Sequence, residues 1–158
     1  MIDSRKASDL CLVTLSKWLI VEDEMKKVGI PVGIVSTFRD FEMQDHLYGQ
    51  GRTRPGKIVT HVRSGGSFHN VRRAIDAWPL DAEGKLNTKF VDSREAYHLF
   101  MELGRIGKQV GFQWGGDWKS PKTDLPHLQD GFCKACNMVF TSARHFNEDG
   151  SCAVKHAF

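Results

Sequence analysis

The chain has 158 residues, 41% of them hydrophobic and 26% charged, the profile of a globular protein long enough to bury a core without disulfides. Its 22 basic against 19 acidic residues give a net charge of +3, too mild to argue for nucleic acid and suited to an anionic target such as a cell wall. No stretch reaches the roughly eighteen consecutive apolar residues of a membrane span, and "MIDSRKASDLCLV" lacks the features of a secretory signal, so the expectation is one domain made in a cytoplasm without membrane insertion.

Taken in chain order, residues 4–28 predict a helix with Leu12, Leu15, Leu19 and Met25 on one face, Cys11 as a small core residue and Gly29 as its stop. "IPVGIVS" predicts a short strand. "TFRDFEMQDHLYGQG" predicts a second helix, with Thr37 and Asp40 in capping spacing. Residues 51–66, with Arg52, Arg54, Lys57 and Arg63, read as a long basic loop. "RRAIDAWPL" predicts a strand and "DAEGK" its turn. Residues 92–110 predict the clearest helix: Asp92 and Glu95 stand in capping-box spacing, Leu99, Leu103, Ile106 and Val110 form a face, and Gly111 closes it. "FQWGGDW" predicts a strand entering a glycine turn, and "LPHLQ" a short extended piece. Helices mixed with short, irregularly spaced strands predict an α+β domain over residues 1–130, and residues 131–158 change character.

His69 and Asp76 in "SFHNVRRAIDAW" are a nitrogen and a carboxylate of metal-ligating type. A hydrolytic zinc typically takes three protein ligands, and the seven histidines leave the third open. His127 stands out, because Asp124 precedes it by three residues and a carboxylate beside the metal can serve as general base. Read from spacing alone, the pair is more often a salt bridge or a solvated pair, Arg39 a surface partner of Asp40 or Glu42, Gln44 a solvated helix residue, and Ser67 either a loop cap or a substrate donor. Trp114 and Trp118 read as core and cleft wall, and Asp117 as a partner for a ligating histidine.

"STFRDFEMQDHLYGQGRT", "SFHNVRRAID" and "WGGDWKSPKTDLPHLQ", in that order, resemble the zinc peptidases of the D-Ala-D-Ala carboxypeptidase type, and more narrowly the phage endolysins that cleave L-alanyl-D-glutamate in peptidoglycan. The resemblance spans roughly residues 8–129 and rests on S-x-H, A-x-D and D-x-x-H at Ser67, His69, Ala74, Asp76, Asp124 and His127. It implies a small antiparallel sheet packed on helices with zinc in a cleft, the carboxypeptidase/hedgehog-like fold. It implies His69, Asp76 and His127 as zinc ligands, Asp124 as general base and Arg39 facing the oxyanion; Gln44 matches the family's helix glutamine, and Gln44 and Ser67 are the candidate substrate contacts. The implied substrate is the peptidoglycan stem peptide, reached by a lysin that waits in the host cytoplasm for a membrane pore. The same zinc set would serve a D-Ala-D-Ala carboxypeptidase, and a wall-binding or adaptor module could keep the fold without turnover. Relatives usually carry glycine where this chain has Arg72.

The C-terminal segment holds Cys133, Cys136, Cys152 and His156 as C-x2-C-x15-C-x3-H, a spacing close to small zinc fingers, which predicts a second, structural zinc or else a tail with incidental cysteines. Cys152 and His156 are expected on one helix face, Phe140 and Phe146 as a minimal core, and His145 as a substitute ligand. The segment carries no basic patch, so no nucleic-acid partner is expected.

Overall fold

The computed structural model describes residues 1–81, 83–86, 94–134 and 137–153. Its centre is a four-stranded antiparallel sheet: β1 (Val32–Ser36), β2 (Ala74–Pro79), β3 (Gln113–Trp114) and β4 (His127–Gln129), in spatial order β1-β2-β4-β3. Two long helices, α1 (Leu12–Lys27) and α3 (Arg94–Val110), cover one face, and the shorter α2 (Phe41–Gly49) follows β1. Alternation along the strands divides the residues. Ile75 and Ala77 of β2, Leu128 of β4 and Trp114 of β3 enter the helix-covered core, whereas Asp76 and His127 turn to the other side.

The buried stripe of α1 is Thr14, Trp18, Val21 and Met25, a helical repeat centred on an indole. Leu12 and Leu19 are 81% and 52% exposed, so the predicted leucine face is corrected: the sheet takes the stripe carrying Trp18. The helix also starts later than predicted, because residues 7–9 form a separate 3-10 turn and Cys11 stands at the N-cap, its thiol donating to Thr14 Oγ1. In α3 the predicted face holds, with Leu103 and Ile106 buried beside Phe100. The predicted cap at Asp92 and Glu95 lies outside the described residues and side chains. Gly104 has a reason for costing helix stability: a Cβ there would stand 2.2 Å from the Trp114 ring, so only glycine lets α3 approach β3 this closely. The predicted cap of α2 shifts as well: Asp40 alone accepts from Met43 N–H, while the Thr37 hydroxyl donates to the Ser4 and Lys6 carbonyls.

The segment after Gln129 is packed onto the same body. β5 (Phe132–Cys133) pairs with β6 (Met138–Val139), and Cys133, Ala143 and Phe146 form a second apolar cluster with Phe68, Val71 and Ala74. A buried ion cluster ties it down. Asp130, fully buried, pairs with Lys17 at 2.8 Å and with Arg73 at 3.0 Å. The Arg73 guanidinium also donates to the carbonyls of Asp130, Phe132 and Gly150 and lies over the Phe146 ring. Cys152 pairs with Phe146 in an isolated bridge, so the predicted helix face does not start at Cys152; Cys136 and His156 lie outside the described residues. His145 stacks on Phe140.

Removing one member of a buried ion cluster strands the others. Arg73→Leu is expected to lower stability to urea by about 3 kcal/mol or more. A loss under 1 kcal/mol would show that the cluster does not hold the C-terminal segment.

Candidate active site

The site is built around Asp76 on the central strand. Its ladder partners are His127 on β4 and Ser36 on β1, where a register shift between Ile34 and Ser36 irregularly ends the pairing. Directly opposed residues of an antiparallel pair project to the same face, so the ladder itself sets Asp76 beside His127. His69 arrives from a 3-10 turn, Phe68–Val71, that Ser67 caps by accepting from His69 N–H. Of the two readings for Ser67, the cap is observed, and Ser67 also lines the cleft.

That turn ends at Arg72 in the left-handed region, φ 59°. A glycine suits this conformation, and it is the residue that the resemblance leads one to expect here. Here the arginine is held by a hydrogen bond to the Asp9 carbonyl and by stacking over the Phe38 ring. The departure from the pattern therefore leaves the turn intact.

The three ligand-type side chains converge. His69 Nε2 lies 3.2 Å and His127 Nδ1 2.9 Å from the same oxygen, Asp76 Oδ1. One ligand atom from each residue falls within 4.8 Å of the others, and among the described residues this is the one such His/Cys/Asp/Glu group. Each imidazole has its other nitrogen occupied: His69 Nδ1 donates to the Thr37 carbonyl at 2.7 Å, and His127 Nε2 meets Gln129 Oε1 at 3.1 Å. Outer partners of this kind orient ligating histidines, so the donor set fits a small divalent metal. Burial pushes the Asp76 carboxyl up, but the two adjacent histidines outweigh it and hold it well below the usual range. Burial likewise lowers His127, but the Asp76 carboxylate and the charge of Asp124 overcome it and leave its pKa raised.

Arg39 is 9% exposed and does not join Asp40 or Glu42 on the surface. It donates to Asp3 Oδ1, Gln44 Oε1 and Ser36 Oγ, and Nη2 stands 3.6 Å from Asp76 Oδ2. Gln44 is fully buried, which corrects its reading as a substrate contact and excludes a solvated face. It accepts from Arg39 and donates to Thr60 Oγ1 and the Val62 carbonyl, so it joins Arg39 to the loop bordering the cleft. Three arginines of that loop are engaged locally: Arg52 and Arg63 flank Tyr48, and Arg54 meets His46.

Asp124 lines the same cleft, and burial above all raises its carboxyl, with the neighbouring Asp76 adding to the effect. Its backbone N–H is held by the Gly115 carbonyl. A Cβ on Gly115 would stand 2.4 Å from the Asp124 carbonyl and 3.0 Å from His127 Cβ, so the turn holding both residues rests directly on this glycine. Asp117 pairs with Lys108 at 3.0 Å, which corrects its reading as a partner of a ligating histidine. Gln129 holds that place. The missed signal was His-x-Gln on a strand, which puts both side chains on one face.

The cleft has a volume of about 1040 Å³, with His69, Asp76, Asp124 and His127 among its lining residues. Ile58, Val59 and Val62 of the long loop border it together with Trp118, whose ring packs against His127 at 5.0 Å, consistent with the cleft-wall reading. Small-molecule pockets run to about 1,000 Å³, so this cleft has room for an extended peptide.

Paired histidines and a carboxylate beside a second carboxylate and a guanidinium are the chemistry of a metallopeptidase site. Residues 60–130 match the peptidase family described as D-alanyl-D-alanine carboxypeptidase. Over 111 residues the chain is 42% identical to the peptidoglycan L-alanyl-D-glutamate endopeptidase CwlK of Bacillus subtilis, a match covering 64% of this chain and 61% of that relative's length. Its fold is similar to that of the L-Ala D-Glu endopeptidase ChiX of Serratia marcescens, with a TM-score of 0.54 and 18% identity over 83% of this chain and 90% of that one. The small antiparallel sheet packed on helices, expected from the sequence, is thus the observed fold. Among the described residues no helix is long and apolar enough to cross a membrane.

A metal held by His127 would compete with protons for its ring. Because its pKa is raised, the neutral ring that binds metal is lost progressively as pH falls through that value. Metal affinity, measured by calorimetry between pH 8 and pH 5.5, is expected to weaken toward acid, and a flat profile would contradict the ligand assignment. Gly115→Ala is expected to weaken metal binding at least tenfold while the far-ultraviolet circular dichroism spectrum is kept.

Proposed function

We propose that the chain is a zinc-dependent peptidoglycan endopeptidase that hydrolyses the L-alanyl–D-glutamate bond of stem peptides. The observation that carries this reading is the convergence of His69, Asp76 and His127 in the cleft that Asp124 also lines. The activity named for the Bacillus relative supports the choice of bond.

His69 Nε2, Asp76 Oδ1 and His127 Nδ1 would hold the zinc ion, which supplies Lewis acidity toward the scissile carbonyl and an acidified water. The chain's own groups do the rest. Asp124 takes the proton of the attacking water and delivers it to the leaving amine; its burial-raised pKa makes it a better base than an exposed aspartate. Arg39 engages Asp3, Gln44 and Ser36 and pairs with Asp76, and its remaining Nη1–H is offered to negative charge developing on the substrate. The Ile58–Val62 loop and Trp118 hold the peptide and exclude water.

The matched family's description favours a second reading, D-alanyl-D-alanine carboxypeptidase chemistry on the same site. Mass spectrometry of purified peptidoglycan treated with the zinc-loaded protein separates the two. New amino termini at D-glutamate are expected, whereas free D-alanine alone would move the reading to the carboxypeptidase. No product with zinc bound would leave a wall-binding module. Asp124→Asn is expected to abolish turnover with zinc retained, and Arg39→Met to lower kcat by about a hundredfold. Normal cleavage by the Asp124 variant would falsify the general-base role.

Two finer readings complete the proposal. The resemblance to phage endolysins supports a protein that reaches the wall through a membrane pore: co-expression with a pore-forming protein should then lyse cells that tolerate the chain alone. The Cys133, Cys136, Cys152, His156 spacing supports a second, structural zinc, with Cys133 and Cys152 already in one cluster. Two zinc ions per chain by elemental analysis is the expected stoichiometry, and one ion would remove the second site.

A further inference from the structure

We infer that Gln129, oriented by Gln113, is a positioning residue that decides which nitrogen of His127 faces the metal. The inference rests on the metal site proposed above.

The two ligating histidines are held by different means. His69 Nδ1 faces the Thr37 backbone carbonyl, a group that can only accept. That contact places the ring proton on Nδ1 and leaves Nε2 toward Asp76. His127 has no such backbone partner. Its Nε2 faces a side-chain amide, and an amide has an accepting end and a donating end. Were Gln129 turned the other way, its NH2 would donate to Nε2. The imidazole proton would then sit on Nδ1, the atom 2.9 Å from Asp76 Oδ1, and no lone pair would be available there.

Gln113 opposes this. It lies directly opposite Gln129 in the β3–β4 ladder, and Gln129 Nε2 donates to Gln113 Oε1 at 2.7 Å. The donating end of Gln129 is thereby committed, and its oxygen is left for His127 at 3.1 Å. Gln129 is 7% exposed, so water does not readily substitute for either contact. In the reversed orientation two amide oxygens would face each other across the ladder unless Gln113 turned as well, so reversal requires both amides to turn together. The pair therefore acts as a proton-placing relay running from the edge strand β3 to the ligand on β4.

The test is metal binding, independent of any substrate. Zinc affinity is measured by chelator competition, and site geometry by the visible spectrum of the cobalt-loaded protein, with folding monitored by circular dichroism. Gln129→Leu is expected to weaken zinc binding by about tenfold to a hundredfold and to alter the cobalt spectrum. Gln129→Glu should keep or tighten binding, because a carboxylate accepts from Nε2 in either orientation. Gln113→Leu should weaken binding in the otherwise unchanged chain and have no effect in the Gln129→Glu background, where no amide needs orienting. Wild-type affinity in a folded Gln129→Leu variant would overturn the inference, as would a Gln129→Glu variant as weak as Gln129→Leu. An unsubstituted protein that binds neither zinc nor cobalt would instead overturn the metal site itself.

Discussion

A half-buried carboxylate on the central strand of a sheet is the constraint around which this molecule is arranged. A carboxylate that loses most of its water needs partners, and Asp76, whose side chain is 20% exposed, gathers His69, His127 and the Arg39 guanidinium around its two oxygens. Each partner is then fixed in turn: His127 by the ladder and Gln129, His69 by a capped turn and the Thr37 carbonyl, Arg39 by Asp3, Ser36 and Gln44. A side chain that must satisfy a buried charge has few alternative rotamers. The arrangement that stabilises Asp76 therefore also prepares three donor atoms for a cation.

The scaffold transmits this order over a distance. Three residues beyond His127, Asp130 anchors the end of β4 to α1 through Lys17 and to the C-terminal segment through Arg73. The close approach of Gly104 to Trp114 seats β3 so that Gln113 meets Gln129. Gly115 then brings the Asp124 turn against His127. His127, Asp124 and the two glutamine amides thus hang on short elements whose positions are set by close packing, where a single added methylene is felt.

Much of the site was legible because its chemistry demands particular side chains. Histidine and aspartate at 69, 76, 124 and 127 carry a signal that survives without knowing the fold, and the structure brings all four into one cleft. Gln44 carried no such signal: glutamine on a helix is ordinarily solvated, and only the loop returning over it at Thr60 and Val62 buries it. Asp117 misled because proximity in sequence to a tryptophan-lined turn says nothing of direction, and its carboxylate points out to Lys108. In α1 two apolar stripes compete on one helix, and periodicity alone cannot say which one the sheet will cover.

What the sequence by itself determined is therefore the chemistry and the element order: metal-ligating residue types, a candidate base, and helices and strands in an α+β succession. These depend on side-chain identity and on local backbone preference. What only the tertiary structure decided is which face of each element is dry, and which atoms orient the ligands. The Thr37 carbonyl, Ser36, Asp3, Gln113 and Gln129 acquire their roles through contacts across the ladder and between distant segments. Long-range pairing fixes such contacts, and no local propensity encodes them.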